Sequence, residues 1–253
     1  MTLENMFGPV ANWFRKLHET TGLNFVVFYD PFDASRFFKG LAVTLEMAAI
    51  CIIASTVIGV VVAGIHGVRF RPVVWLVDGY VQFFRNTPSI VQLYFFFFGL
   101  GPVIAIHNEY GQSVPWISGF SWAVICLSVY SGAFNAEIFR GGIEAVPHAT
   151  VEAAEALGYT RLGTYIHVVL PLAVRISFPA FGNNMVNLIK STSVAYAIAV
   201  PETLYVSSQI WADALNVGEM MNVVLVSYVA IVSFFVFLIG RVERAIRVPG
   251  IGV

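Results

Sequence analysis

Along the chain, long runs without formal charge alternate with short stretches that collect charged and polar residues. In hydrocarbon every peptide group must be satisfied within its own segment, so a charge-free run of about 20 residues predicts a membrane-crossing helix. Residues 47–65 form the first such run, and 40–46 ahead of it make the helix longer than a bilayer needs. Residues 86–108 carry no formal charge and contain the apolar block 93–100, which puts a second helix near 83–100. Residues 110–136 are uncharged as well, but Pro115 and Gly119 break the start, so a third helix falls at about 120–140. A fourth, 176–201, is interrupted only by Lys190 and holds Asn183, Asn184 and Asn187; a fifth covers 220–240. The pattern predicts an all-α, polytopic membrane protein with five transmembrane helices.

Lys and Arg set the orientation. Arg69, Arg71 and Arg85 flank the first connection, Arg140, Arg161 and Arg175 the third, and Arg241, Arg244 and Arg247 the C-terminal end. The second and fourth connections, about 101–119 and 200–218, contain no Lys or Arg. Those two loops are expected outside, which places the N-terminus outside and the C-terminus in the cytoplasm. The N-terminal tail opposes this locally with Arg15, Lys16, Arg36 and Lys39, but it also carries Glu4, Glu19, Asp30 and Asp33. It has no basic segment leading into an apolar core and a cleavage site, so it does not read as a signal peptide. Residues 12–28 mix Trp13, Phe14, Leu17 and Phe25 with polar side chains, as an amphipathic helix in the interface or an irregular tail would.

Composition agrees with the pattern. The 253 residues are 58% hydrophobic and 11% charged, against about 25% charged in soluble domains. A net charge of -1 excludes a basic nucleic-acid binder. Cys51 and Cys126 both lie in apolar runs, which leaves no disulfide framework and no Cys-x-x-Cys metal or redox site. His66 and His107 are single residues at predicted helix ends, no metal-ligand set is present, and the spans contain no His-Glu-x-x-His, paired-aspartate or Gly-x-Ser-x-Gly constellation.

The one sizeable cytoplasmic segment is the loop at about 141–175. Pro147 suits a helix start and Gly158 a left-handed end. Between them Val146, Thr150, Ala153 and Leu157 share one face at helical spacing, and His148, Glu152 and Glu155 another. A second short helix is expected to stop before Leu170-Pro171, where the proline removes a donor. Two short helices standing off a membrane domain read either as an element gripped by another protein or as a loop packed on its own membrane ends.

The residues of this loop carry a resemblance. Glu152-Ala153-Ala154, Gly158 and Val168-x-Leu170-Pro171 are similar to the EAA loop of permease subunits of ATP-driven bacterial importers, which prefer Ile at the position of Val168. Phe84-Arg85-Asn86-Thr87-Pro88 with Gln92-Leu93, Gly132-Ala133-Phe134 through Glu137 to Gly142, and Lys190-Ser191-Thr192-Ser193 with Pro201-Glu202 resemble the polar amino-acid uptake branch. The branch usually has Gly-Gln at Ala149-Thr150, Asp at Ser191, and Tyr at Phe134. The resemblance covers about 38–245, leaving 1–37 as an N-terminal tail and 246–253 as a cytoplasmic tail.

The resemblance implies a type I importer in the bacterial inner membrane, carrying polar amino acids or relatives such as opines by ATP-driven alternating access. Its partners would be two cytoplasmic ATP-binding subunits, a second permease (homologous or identical) and an external solute-binding protein. This chain has three lysines, Lys16, Lys39 and Lys190, and none follows a phosphate-cradling Gly-x-x-x-x-Gly-Lys-Ser/Thr loop. ATP and magnesium would therefore be used by the partners, and this chain would not be an enzyme. Glu152, Ala153, Ala154, Gly158, Leu170 and Pro171 would form the ATPase-coupling element, moving as a rigid body when the ATPases close.

Ionisable groups at membrane depth mark the candidate path. Asn183, Asn187, Lys190 and Ser191 share one helix face. Lys190 can meet the carboxylate of a passing zwitterion or pair with Glu137, which in turn stands near enough in sequence to Arg140 for a structural pair. Glu46 reads as a snorkelling or paired acid, and Arg85 as an anchor at the inner interface. A channel would need such a stripe on several helices and no docking loop. A substrate-gated channel or a non-ABC secondary transporter subunit is the alternative reading.

Overall fold

The structure, a computed structural model, describes residues 8–65, 70–107 and 113–246. Four of its helices are long and apolar enough to cross a membrane, and one bent pair makes five. The all-α, five-span architecture is the one found. The expectations placed on Glu4, His66, Arg69 and Arg247 lie outside the described residues.

Helix α1 (Gly8–Thr21) and one 3-10 turn (Val26–Phe28) precede the first span, α2 (Pro31–Ile65). The span starts well before 40 because its N-terminal chemistry is complete at Pro31. Asp30 accepts the Phe32 N–H at 2.8 Å as a cap, Pro31 needs no donor in the first turn, and Asp33 faces the positive helix end.

The second span departs from the single helix expected near 83–100. It is a bent pair: α3 (Arg71–Asn86) meets the segment Ser89–Ile104, which begins with α4 (Ser89–Tyr94), at 110°. Pro88 bars Thr87 from the α conformation, and Thr87 is extended at φ −115°, ψ 142°. The Gln92 amide then bridges the break, donating to the carbonyls of Phe84 and Thr87, both at 3.0 Å. Helix α4 continues through a π turn (Phe95–Leu100) and a 3-10 turn (Gly101–Ile104) into a two-residue hairpin, β1 (Ile106–His107) paired antiparallel with β2 (Ser113–Val114).

The third span is α5 (Gly119–Glu144). After the short α6 (His148–Ala156) and α7 (Arg161–Thr164), the chain passes a π turn (Tyr165–Val169) straight into α8 (Leu170–Ser191). The expected stop before Leu170-Pro171 is thus absent, and Arg161–Ile198 is one candidate span. The reason is the π turn: Leu170 N–H reaches back five residues to Tyr165, and the wider ring accommodates the proline that follows. A 3-10 segment (Thr192–Ile198) closes α8. The fourth connection, expected as a loop, contains α9 (Thr203–Ala214), and α10 (Val217–Ile246) is the last span.

The chain forms two compact units. One comprises Met1–Ala49, Leu93–Ala123 and Ile189–Ser233. Its core joins Val26, Val27 and Phe37 to Val206, Ile210, Met220 and Val223, which ties the N-terminal segment to α9 and the start of α10. The other comprises Ile50–Gln92, Val124–Leu188 and Phe234–Val253. There α2 and α5 meet so closely that a Cβ on Gly132 would stand 2.6 Å from Ile58 Cγ2, and one on Gly59 2.5 Å from Asn135 Cβ. Val62, Val81 and Ala136 pack beside that crossing.

Candidate coupling helix and transport path

Pro147 caps α6 in an extended conformation, and Gly158 ends it at φ +92°. Gly158 N–H bonds Glu155 O at 3.0 Å and Tyr159 N–H bonds Ala154 O at 3.2 Å, the paired bonds of a left-handed C-cap. The face assignment read from spacing needs correction. The extended Pro147 takes Val146 out of phase with α6; Val146 and Val151 pack against Val169 and Ala173, and Ala154 is the buried residue of α6. Ala153 is exposed instead, with Glu152 and Ala156 beside it, and Leu157 is 81% exposed. Tyr159 and Leu162 extend this apolar surface onto α7, whose start is capped by Thr160 accepting Gly163 N–H at 3.1 Å. Leu170 is half-buried and Pro171 exposed, both inside the continuous helix. The result is a short, slim helix with small and apolar residues and the polar side chains of His148, Glu152 and Glu155 outward, and its own anchors inward.

Above this element, on the same unit, charges alternate. Glu137 bonds Arg85 at 3.3 Å and Arg140 at 2.8 Å, and Arg140 also bonds Glu144 at 2.7 Å. The Arg85 guanidinium lies 5.5 Å from the centre of the Phe134 ring. Glu137, Arg140 and Glu144 face a cleft of about 590 Å³ shared with Asp78, Gln82 and Tyr165. Two arginines therefore already engage the Glu137 carboxylate. Lys190 is exposed on α8, and Asn183 and Asn187 on the same helix are exposed too, with Ser191 half-buried. This polar row is open on one side of a helix whose other side is packed.

Two buried polar clusters went unseen in the sequence. In one unit Asn184 donates to Ser131 Oγ at 3.0 Å and Asn135 Oδ1 at 2.8 Å, and Asn135 donates to Ser55 Oγ at 3.3 Å. Four polar residues on α2, α5 and α8 thereby hold helices together by hydrogen bonds in the bilayer region. The signal was the Asn183-Asn184 doublet, of which one member faces out and the other in. In the other unit Glu202 is fully buried. It accepts the N–H groups of Leu204 at 2.9 Å and Tyr205 at 2.8 Å, capping α9, and the Tyr228 hydroxyl at 3.1 Å. Burial raises its carboxyl above the usual carboxylate range, against the pull of those donors. Thr44 meets Thr203 Oγ1 at 2.7 Å beside it. Among the described residues no group of three or more His, Cys, Asp or Glu is placed to hold a metal ion.

Comparison with known proteins places this geometry. Residues 55–248 match the family described as "Binding-protein-dependent transport system inner membrane component". The chain is 31% identical over 209 residues to the probable glutamine ABC transporter permease protein GlnM of Bacillus subtilis (strain 168), covering 83% of this chain and 91% of that one. It is 31% identical over 198 residues to the nopaline transport system permease protein NocM of Agrobacterium fabrum (strain C58 / ATCC 33970), covering 78% and 80%. A solved structure described as "Crystal structure of an amino acid ABC transporter with histidines" superposes with a TM-score of 0.74 at 25% identity, over 84% of this chain and 94% of that one. The exposed helix between the third and fourth spans, the five-span fold and the family match agree: the chain belongs to the binding-protein-dependent transport system inner membrane components, the permease subunits of ABC transporters.

Proposed function

We propose that this chain forms half of the membrane path of an importer for polar amino acids or opines in the bacterial inner membrane, driven by ATP through alternating access. Two cytoplasmic ATP-binding subunits, a second permease subunit and an external solute-binding protein complete the assembly. The ATP and its magnesium belong to the partners, and this chain supplies the path and the mechanical link.

The observation that carries the reading is the outward surface of α6 and its cap. Glu152, Ala153, Ala156 and Leu157 stand clear of the protein while Val146, Val151 and Ala154 fix the helix to its own unit. Small outward residues admit a partner's groove closely, and the exposed Leu157 and Leu162 offer apolar area to bury there. Gly158 sets the direction in which the helix meets α7. When the ATP-binding subunits close, a helix held this way transmits the displacement to α5 and α8.

Along the path, Lys190 attracts the substrate carboxylate, and Asn183, Asn187 and Ser191 offer hydrogen bonds to its polar groups. Glu137, engaged by Arg85 and Arg140, positions the inner ends of the helices. The relatives' names cite glutamine and nopaline, so the binding protein selects among zwitterions of this class.

The test is reconstitution. The chain, co-expressed with the ATP-binding, permease and binding-protein subunits of its own gene neighbourhood, is placed in liposomes with vanadate-sensitive ATPase and radiolabelled uptake as readouts. Uptake that requires both ATP and the binding protein is expected. Uptake driven by an ion gradient without ATP, or passive flux, contradicts the reading. An Ala153→Cys variant should cross-link to a cysteine in the ATP-binding subunit and not to the solute-binding protein.

A further inference from the structure

A cavity of about 270 Å³ opens between α1 and the first turns of α2. Its walls are apolar at Val27, Phe28, Ala34 and Phe38, and two opposite charges line it, Arg15 from α1 and Asp30 from the cap of α2. Both charges act on one point: the Tyr29 hydroxyl, raised chiefly by burial, is pushed further up by Asp30 and pulled down by Arg15. The α1 backbone is held over the cavity by Phe14, which stacks on Phe28 with ring centres 4.5 Å apart.

The cavity continues outward. From Phe38 a row of exposed apolar residues on α2 runs through Ala42, Leu45 and Ala49 at helical spacing, with Lys39 and Glu46 exposed along one flank. Helix α2 is 35 residues long, about 15 more than a bilayer core requires, so its first turns stand at headgroup depth. Arg36 and Lys39 near that end and the exposed rings of Trp13 and Phe32 suit the same depth.

We propose that the cavity is a phospholipid site selecting a zwitterionic headgroup with a primary ammonium, the phosphate on Arg15, the ammonium on Asp30, and one acyl chain laid along Phe38, Ala42, Leu45 and Ala49. A free amino acid offers the same two charges but has no tail to cover that stripe. An anionic lipid without the ammonium satisfies Arg15 and leaves Asp30 opposed. The site rests on α2 crossing the membrane, and is independent of what the importer carries.

The assay is native mass spectrometry of the detergent-purified transporter, full chain with its partner subunits, titrated with phosphatidylethanolamine or phosphatidylglycerol. Phosphatidylethanolamine is expected to bind in preference. Arg15→Gln and Asp30→Asn should each weaken it about ten- to hundredfold, the loss expected for one charge-assisted hydrogen bond. Asn is as good a helix cap as Asp, so Asp30→Asn leaves the start of α2 in place. Ala11→Phe, which fills the cavity and keeps both charges, should remove binding as well. Equal affinity for phosphatidylglycerol in the parent protein overturns the headgroup assignment. Competition by phosphoethanolamine or free glutamine as strong as that of the lipid overturns a lipid site in favour of a soluble zwitterion. Binding unchanged in all three variants overturns the cavity itself.

Discussion

Gly158 separates two effects that a substitution in the coupling element usually confounds. Its φ of +92° is the left-handed region, which costs a side-chain-bearing residue about 1–2 kcal/mol. A Cβ there meets nothing within 4 Å, so Gly158→Ala introduces strain without a clash. That strain shifts the opening equilibrium of the cap by roughly five- to thirtyfold. Gly158→Pro is harsher. It locks φ near −65°, deletes the N–H that bonds Glu155 O at 3.0 Å, and presses Leu157 out of its near-helical conformation, for about 3 kcal/mol or more. Asn tolerates the left-handed region and should fall between Gly and Ala. In proteoliposomes with the ATP-binding subunits, all three variants should insert and retain ATPase activity. Uptake per ATP should fall in the order Asn, Ala, Pro, with Pro near zero. A Pro variant with the parent ratio of uptake to hydrolysis refutes the idea that this cap aims the coupling helix.

Other outcomes follow from the same structure. A cytoplasm-only reporter fused after Gly252 should be active and one inserted at Gly111 silent; the reverse sinks the N-out, C-in orientation. Lys190→Met should keep assembly and lose transport, and Glu137→Gln, which takes the shared carboxylate from Arg85 and leaves Arg140 only Glu144, at a cost on the order of 1–2 kcal/mol, should lower assembly yield in size-exclusion profiles instead; normal transport by Lys190→Met would demote the lysine to a snorkelling residue. Gly132→Val should destabilise by about 1–3 kcal/mol, because its Cβ must displace Ile58, and a melting temperature equal to the parent's would show that the α2–α5 crossing yields freely. The folded state holds the Glu202 proton more tightly than the unfolded chain, so its contribution to stability is complete below the unfolded value and is lost as pH rises through the raised folded one. Melting temperature should therefore decline across that window and flatten in Glu202→Gln; an identical pH profile in the variant contradicts the buried-acid account.

The spans were legible because hydrocarbon imposes one rule everywhere: no charge for about 20 residues. The rule sees solvation and is blind to backbone geometry. It therefore merged 83–100 across Thr87-Pro88, where the decisive fact is the steric demand of a proline on its predecessor and an amide, Gln92, placed to receive the broken ends. The caps at Pro147 and Gly158 were readable because their conformational preferences are local. The inward face of α6 was not, since one extended residue at Pro147 shifts the phase of everything counted from Val146. Asn184 and Glu202 escaped for a related reason: whether a polar side chain in an apolar run faces a partner or a path depends on the neighbouring helices, which spacing within one helix does not reveal.

The π turn at Tyr165–Val169 amounts to one residue more than an α-helix would use. Each residue of an α-helix turns the chain by about 100°, so the insertion sets the azimuth of α7, with Leu162 on it, relative to Ala173 and Ser177 on the far side. Pro171 acts as a latch on that phase, because reverting to α geometry would drive its ring toward the carbonyl of His167. Length and geometry are consequently tied here: closing the turn to α geometry with all its residues kept would swing the coupling surface about a quarter turn around the axis, while losing one residue between 165 and 169 together with the wide turn would leave it pointing where it does.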